Sequence, residues 1–225
     1  MKNKSVAVII PAYHESDNLK ILLPRLLKTL PGALVIVVDD SECRETYENV
    51  MTVWRHSKNG RGSAVLDGLR FALRQKNVQY FLEMDADLAH APEECTDFIA
   101  AARHSDMVIG SRYLNGSVIA DWPMYRLIQS KIINIFLRLL LGLHLTDYTN
   151  GFRLYTRPVV EFLMKTPMKE KGFISLSEIA YKVQRQGFRI SEIPVSFKDR
   201  EFGKSNANIR ELLVSLIGAF RIRML

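Results

Sequence analysis

Residues 80–90 read YFLEMDADLAH. An apolar run, Tyr80-Phe81-Leu82, leads into two carboxylates, Asp85 and Asp87, with only Ala86 between them. In extended backbone, residues two apart point to the same side. Two rises along a strand put their Cα atoms roughly 6.5 Å apart. Carboxylates that near repel each other unless positive charge lies beside them. The chain has 31 Lys and Arg against 24 Asp and Glu, a net charge of +7, so the pair is not part of an acidic surface. The stretch therefore predicts a buried strand whose carboxyl end holds a cation.

Similar apolar runs occur on either side of it. Residues 6–10 form one, closed by Pro11, and residues 34–38 another, ending in Asp39-Asp40. Residues 107–109 give a further strand and 50–54 a weaker one. Helical spacing fills the gaps at 19–30, 63–75 and 92–103, the first with Ser16 or Asp17 as N-cap and Pro31-Gly32 as its stop. Apolar strands alternating with helices indicate an α/β fold with a mostly parallel sheet covered on both faces. Ligands of such sheets sit beyond the carboxyl ends of the strands. Tyr13 and Glu15, Asp39 and Asp40, and Asp85 and Asp87 all fall there.

The second half reads differently. A long apolar helix is expected over 124–143, carrying Arg126, Ser130, Lys131 and Arg138. A turn at Thr149-Asn150-Gly151, a helix over 177–185 and a strand over 188–197 follow. In the last segment Ile209, Leu212, Leu213, Leu216, Ile217 and Phe220 recur at helical spacing. With Arg210, Arg221 and Arg223 beside them, they suit a helix lying in a membrane interface.

At 225 residues the chain suits one domain with a C-terminal elaboration. Cys43 and Cys95 are too far apart for a zinc motif, and no apolar run reaches the ~18 residues of a membrane span. A cytoplasmic protein is the default expectation. The basic residues are not interleaved with aromatics as in a nucleic-acid module, so no nucleic-acid partner is expected. The five histidines lack metal-ligand spacing. Gly60-Arg61-Gly62 is half of a dinucleotide fingerprint and reads instead as a glycine-rich turn near a nucleotide. Gly203-Lys204-Ser205 mimics a P-loop end, but Lys198 stands where the first glycine belongs.

Magnesium favours one or two carboxylates together with substrate phosphate oxygens, which makes Asp85 and Asp87 candidates for a site of Mg²⁺ or Mn²⁺ and a diphosphate. Arg126 and Ser130, four apart, share a helix face and suit a phosphate. In order, Pro11-Ala12-Tyr13-His14-Glu15, Asp39-Asp40, Asp85-Ala86-Asp87, Gly110-Ser111-Arg112-Tyr113 and Gly151-Phe152-Arg153 resemble the motifs of family 2 inverting glycosyltransferases of the GT-A fold. The chain is similar, more narrowly, to polyprenyl-phosphate and dolichyl-phosphate glycosyltransferases, through MDADLAH, VIGSRY, TNGFRLY and DREFGKSN.

That resemblance implies a GT-A domain over 1–207 and an interfacial helix over 208–225. It also implies transfer of a mannose- or glucose-like sugar from a GDP- or UDP-linked donor to a lipid phosphate, at the cytoplasmic face of a membrane. Pro11, Tyr13, Glu15, Asp39, Asp40, Asp85 and Arg200 would bind the donor, and Asp85 and Asp87 the metal. Arg112, Arg126 and Ser130 would surround the acceptor phosphate, Asp87 and Arg112 serving catalysis. Lys204 and Ser205 would belong to a loop over the donor, and small membrane subunits could recruit the chain. The Gln-x-x-Arg-Trp motif of hydroxyl-glycosylating relatives is missing, Trp54 and Trp122 being the only tryptophans. A phosphate acceptor, with a second pKa of about 6, needs no protein base. The alternatives are a hydroxyl acceptor or a non-catalytic relative that binds nucleotide sugar or membrane. Ala89, His14, Glu42, Arg44 and Asn206 depart from the family pattern.

Overall fold

The computed structural model describes residues 5–56, 59–198 and 209–225, with backbone only for 209–214. Seven strands form the main sheet: β1 (Val6–Ala12), β2 (Leu34–Asp39), β3 (Met51–Trp54), β4 (Tyr80–Glu83), β5 (Met107–Ser111), β7 (Arg153–Thr156) and β8 (Ile190–Pro194). Their order is β3-β2-β1-β4-β7-β5-β8, and every neighbouring pair is parallel except those made by β7. A small second sheet pairs β6 (Val118–Ala120) with β9 (Ser196–Lys198) in parallel. The helices are α1 (Ser16–Thr29), α2 (Arg61–Leu73), α3 (Cys95–Ala101), α4 (Met124–Leu141), α5 (Arg157–Lys165), α6 (Ser175–Arg185) and α7 (Ile209–Arg223).

The period-two alternation of the strands builds two cores. Ala7, Ile9, Ile36, Val38 and Phe81 face α2, α5 and α6, whereas Val8, Ile10, Val35, Val37 and Leu82 face α1 and α3. Both faces are covered, as uninterrupted apolar strands require. The same parity puts Glu83 on the α2 side with Phe81.

Several local expectations are corrected. β1 does not stop at Pro11 but runs to Ala12. The Ile9 carbonyl accepts Met84 N–H and the Ala12 carbonyl accepts Asp40 N–H, so odd-numbered residues of β1 face β4 and even-numbered ones β2. The missing N–H of Pro11 thus points past the end of β4, where no ladder bond is lost. Glu15 rather than Ser16 or Asp17 holds the N-cap position of α1, and its carboxylate accepts a hydrogen bond from the Asn18 side-chain amide. The expected 188–197 strand is two strands in different sheets, divided at Val195. The expected 92–103 helix is a 3₁₀ turn, Pro92–Glu94, followed by α3.

Strand β7 decides the site. Because it runs antiparallel between β4 and β5, its amino end lies at the sheet edge where the other strands end. The 147–152 loop that precedes it is therefore delivered to that edge. Helix α7 packs on α4 and α6, with Ala219 and Ile222 fully buried, Phe220 against Phe136 and Arg221 paired with Glu170.

Candidate active site

The acidic turn is tightly shaped. Asp87 Oδ1 accepts the Ala89 N–H at 3.2 Å, and Leu88 between them has φ 63°. A left-handed leucine is costly and persists only where the surroundings hold it. His90 is buried, accepting the Asp85 N–H on Nδ1 at 3.1 Å, with Nε2 at 2.8 Å from Asn150 Oδ1. With Nδ1 the acceptor, Nε2 carries the proton and donates to Asn150, whose amide in turn donates to the Gly110 carbonyl. His90 is thus a strut for the aspartate turn, stacked on Phe152.

The cation that the aspartate pair demands is in part a protein side chain. Arg61 donates Nε and Nη2 to Asp85 Oδ1 at 2.8 and 2.6 Å, and Nη1 to Glu83 Oε1 at 2.5 Å. Burial alone would lower the Arg61 pKa, but Asp85 and Glu83 outweigh it and hold the guanidinium charged. Glu83 is wholly buried and also accepts the Tyr155 hydroxyl at 2.6 Å.

At the next strand end, Asp39 accepts Ser41 N–H and Oγ–H, and Asp40 is gripped by Arg55 at 2.6 Å through both Nε and Nη2. Arg55 also reaches Ser63 and Asp67 of α2. Tyr13 and Glu15 follow β1, and His14 between them has φ 57°. That conformation suits Asn, Asp or His, which accounts for a histidine there without a ligand role. Pro11 lies within β1 beside Val38.

Beyond β5, Arg112 is buried and makes a two-pronged pair with Asp147, Nε to Oδ2 at 2.7 Å and Nη2 to Oδ1 at 2.9 Å. Burial would lower the Arg112 pKa, but Asp147 outweighs it and raises it, with a smaller contribution from Asp85. Asp85 thus lies within electrostatic reach of Arg112. For Asp147 burial would raise the pKa, and the Arg112 charge and hydrogen bonds override it and lower it. Asp147 also accepts the N–H groups of Arg112, Thr149 and Asn150, organising the whole loop. Glu192 supports that loop from β8 by accepting Thr146 and Asp147 N–H, its pKa raised mainly by burial.

The three expected phosphate-binding residues come together through two aromatic rings. Trp122 lies between Arg112 (5.3 Å) and Arg126 (4.2 Å), and Tyr113 donates its hydroxyl to Ser130 at 2.5 Å while lying 5.6 Å from Arg112. The expectation for Arg200, Lys204 and Ser205, and the departure at Asn206, lie outside the described residues. Arg61, Arg55, His90, Asn150 and Asp147 were not anticipated as site residues. Each has at least one partner distant in sequence, and only the glycine punctuation around Arg61 and Asn150 signalled unusual backbone.

Next to Ser130, α4 and Leu216 of α7 form an apolar groove of about 540 Å³ lined by Tyr125, Ile128, Gln129, Ile132, Ile133 and Phe136. Ile128, Ile132, Ile135 and Leu139 of α4 are exposed, as are Ile217 and Phe220 of α7. The apolar face of α7 is therefore only partly used for packing. Among the described residues, no helix is long and apolar enough to cross a membrane.

An open α/β sheet with an aspartate pair at one strand end and a basic cluster at the next has the layout of a GT-A glycosyltransferase. The chain belongs to glycosyl transferase family 2, whose sequence model matches residues 7–163. Polyprenol monophosphomannose synthase of Mycolicibacterium smegmatis is 35% identical over 221 residues, 92% of this chain and 83% of that protein. Undecaprenyl-phosphate mannosyltransferase of Micrococcus luteus is 34% identical over 210 residues, covering 89% and 86%. In fold, the chain resembles glucosyl-3-phosphoglycerate synthase of Mycobacterium tuberculosis, crystallised with Mn²⁺, UDP and glucosyl-3-phosphoglycerate. That match has a TM-score of 0.67 at 16% identity, over 97% of this chain and 79% of the other.

Proposed function

We propose that the protein transfers a mannosyl or glucosyl unit from a GDP- or UDP-linked donor to a polyprenyl phosphate, with inversion. The observation that carries this reading is the Arg112, Arg126 and Ser130 cluster around Trp122 and Tyr113, set near the acidic turn, with an apolar groove on the same helix α4 that carries Arg126 and Ser130. A phosphate monoester on a hydrocarbon chain matches both chemistries. The names of the two relatives favour mannose and a polyprenyl acceptor.

The donor set fits a divalent cation. Among the described residues no group of three or more His, Cys, Asp or Glu is gathered for a metal, so the protein offers the Asp85 and Asp87 pair rather than a closed cage. Mg²⁺ and Mn²⁺ bound with substrate diphosphate need no more than that. When bound, the ion offsets the charge of the departing nucleoside diphosphate. Tyr13, Glu15, Asp39 and Asp40 would hold the nucleoside, and Arg200, Lys204 and Ser205 would lie over it. Arg112, Arg126 and Ser130 would orient the acceptor phosphate and offset its repulsion from the donor. One phosphate oxygen forms the bond to the anomeric carbon as the bond to the diphosphate breaks, and the leaving group takes that electron pair. The acceptor is already ionised, so no protein base is required.

Labelled GDP- and UDP-sugars, offered with a short polyprenyl phosphate and Mg²⁺ or Mn²⁺, test the reading. Label from one donor should enter the organic phase, and EDTA should reduce transfer by about a hundredfold or more. Absence of transfer with every donor would overturn it.

The exposed face of α4 and α7 would lie on the membrane, on the cytoplasmic side, with Lys131, Arg138, Arg221 and Arg223 exposed beside it for anionic headgroups. Membrane subunits could add to this attachment. Ile135 is 58% and Leu139 80% exposed and neither lines the groove, so replacing both by Glu should leave folding intact. Each buried aliphatic side chain contributes about 1.5–3 kcal/mol, so binding to anionic vesicles should fall by about a hundredfold or more. Turnover of a water-soluble short-chain phosphate should stay within about twofold. Unchanged vesicle sedimentation would remove the face from the membrane.

A further inference from the structure

Gly60-Arg61-Gly62 has no role in the reading above, yet the fold is built closely around it. Gly60 has φ +88°, and a Cβ there would lie 2.5 Å from the Lys171 carbonyl oxygen. A Cβ on Gly62 would lie 2.1 Å from Ser175 Oγ, and the Gly62 N–H donates to the Lys171 carbonyl at 3.0 Å. The two glycines let the start of α2 press against the turn before α6. From the opposite side, a Cβ on Gly151 would sit 2.0 Å from Arg61 Nη2 and 3.2 Å from Asp85 Oδ1. Gly151 thus clears space for the guanidinium, while Gly60 and Gly62 let the backbone that carries it lie against the turn before α6.

That guanidinium ties a structural carboxylate to a chemical one. Glu83 is wholly buried, fixed by Tyr155 and by Arg61 Nη1. Arg61 then spends two more N–H groups on a single oxygen of Asp85. The two bonds anchor Oδ1 of Asp85 and place a positive charge against it. We propose that Arg61 is a positioning residue that sets the divalent-cation affinity of the aspartate pair, holding it low until a nucleoside diphosphate arrives. This rests on the reading that Asp85 and Asp87 carry the metal. A unit charge about 5 Å from a divalent ion repels it strongly even at an effective dielectric of about 20. The negative charges of a bound diphosphate reverse that balance. Metal and donor therefore bind as a unit, and the lone ion binds poorly.

Mn²⁺ binding followed by the electron paramagnetic resonance of the free ion tests this, with and without GDP or UDP, alongside thermal melts. Arg61→Gln should bind Mn²⁺ alone at least about tenfold more tightly than wild type, and the gain on adding nucleoside diphosphate should shrink. Arg61→Lys keeps the charge but not the fork. Its affinity for Mn²⁺ alone should stay within about threefold, while kcat falls and the donor KM changes little. Should Arg61→Gln fail to fold with Glu83 unpaired, the double change Arg61→Gln with Glu83→Gln removes both charges and should also tighten Mn²⁺ binding. Folded glutamine variants with unchanged or weaker Mn²⁺ affinity overturn the proposal while leaving the metal site standing. If wild type takes up no Mn²⁺ even with either diphosphate, the metal reading fails and the proposal with it.

Discussion

Replacing Asp87 by alanine is expected to lower kcat for sugar transfer by about a thousandfold. Asp87 is only 8% exposed, and one oxygen closes the turn by accepting the Ala89 N–H. Alanine removes both that hydrogen bond and the charge. Asparagine keeps an acceptor for the turn and removes only the charge, so Asp87→Asn should melt close to wild type. If the charge is what the donor diphosphate and its metal require, both variants lose transfer to a similar degree. Initial rates on one donor, with melting temperatures for each protein, separate the two roles. An active Asp87→Asn would leave Asp87 as a turn residue and shift the chemistry to Asp85.

The parallel sheet was legible because its strands are buried on both faces and so read as unbroken apolar runs. Strand β7 was not legible. It has four residues and contains Arg153, a wholly buried guanidinium that donates to the carbonyls of Tyr148, Asn150 and Leu176. A charge there argues locally against a buried strand, and only tertiary acceptors reverse that. Helix α5 follows with no turn between, its Pro158 in the first turn where no N–H bond is lost. The site divides in the same way. Strand ends flag Asp39, Asp40, Asp85 and Asp87 because their position follows from the local pattern. Their partners do not, since Arg61 is 24 residues from Asp85 and Arg55 is 15 from Asp40. The aspartate pair predicted a cation but could not distinguish a metal from an arginine, because both satisfy the same electrostatic demand.

The second large effect is expected at Asp147, which the sequence did not single out. Asp147→Asn leaves the buried Arg112 guanidinium facing an amide. Breaking a buried ion pair from one side costs about 3–5 kcal/mol, which for a chain of this size lowers the melting temperature by roughly 10 °C. The pH dependence carries a sign. Arg112 holds the folded pKa of Asp147 below its ordinary value. The stabilisation is therefore complete above the ordinary carboxylate value of about 4 and is lost as pH falls through the depressed one. Asp147→Asn has nothing to lose there, so the gap between the melting curves should narrow below about pH 4. A constant gap down to acid unfolding would mean that the loss does not come from the Asp147 charge.

The double change Arg112→Met with Asp147→Asn then separates packing from chemistry. Removing both members of the pair leaves no unpaired buried charge, and asparagine still offers an acceptor to the Thr149 and Asn150 N–H groups, so the double variant should recover most of the lost stability. Transfer should not return, because the Arg112 guanidinium is missing from the cluster proposed to meet the acceptor phosphate and only Arg126 remains beside Trp122. Recovery of both would make the pair a scaffold and leave Arg126 and Ser130 to hold the acceptor.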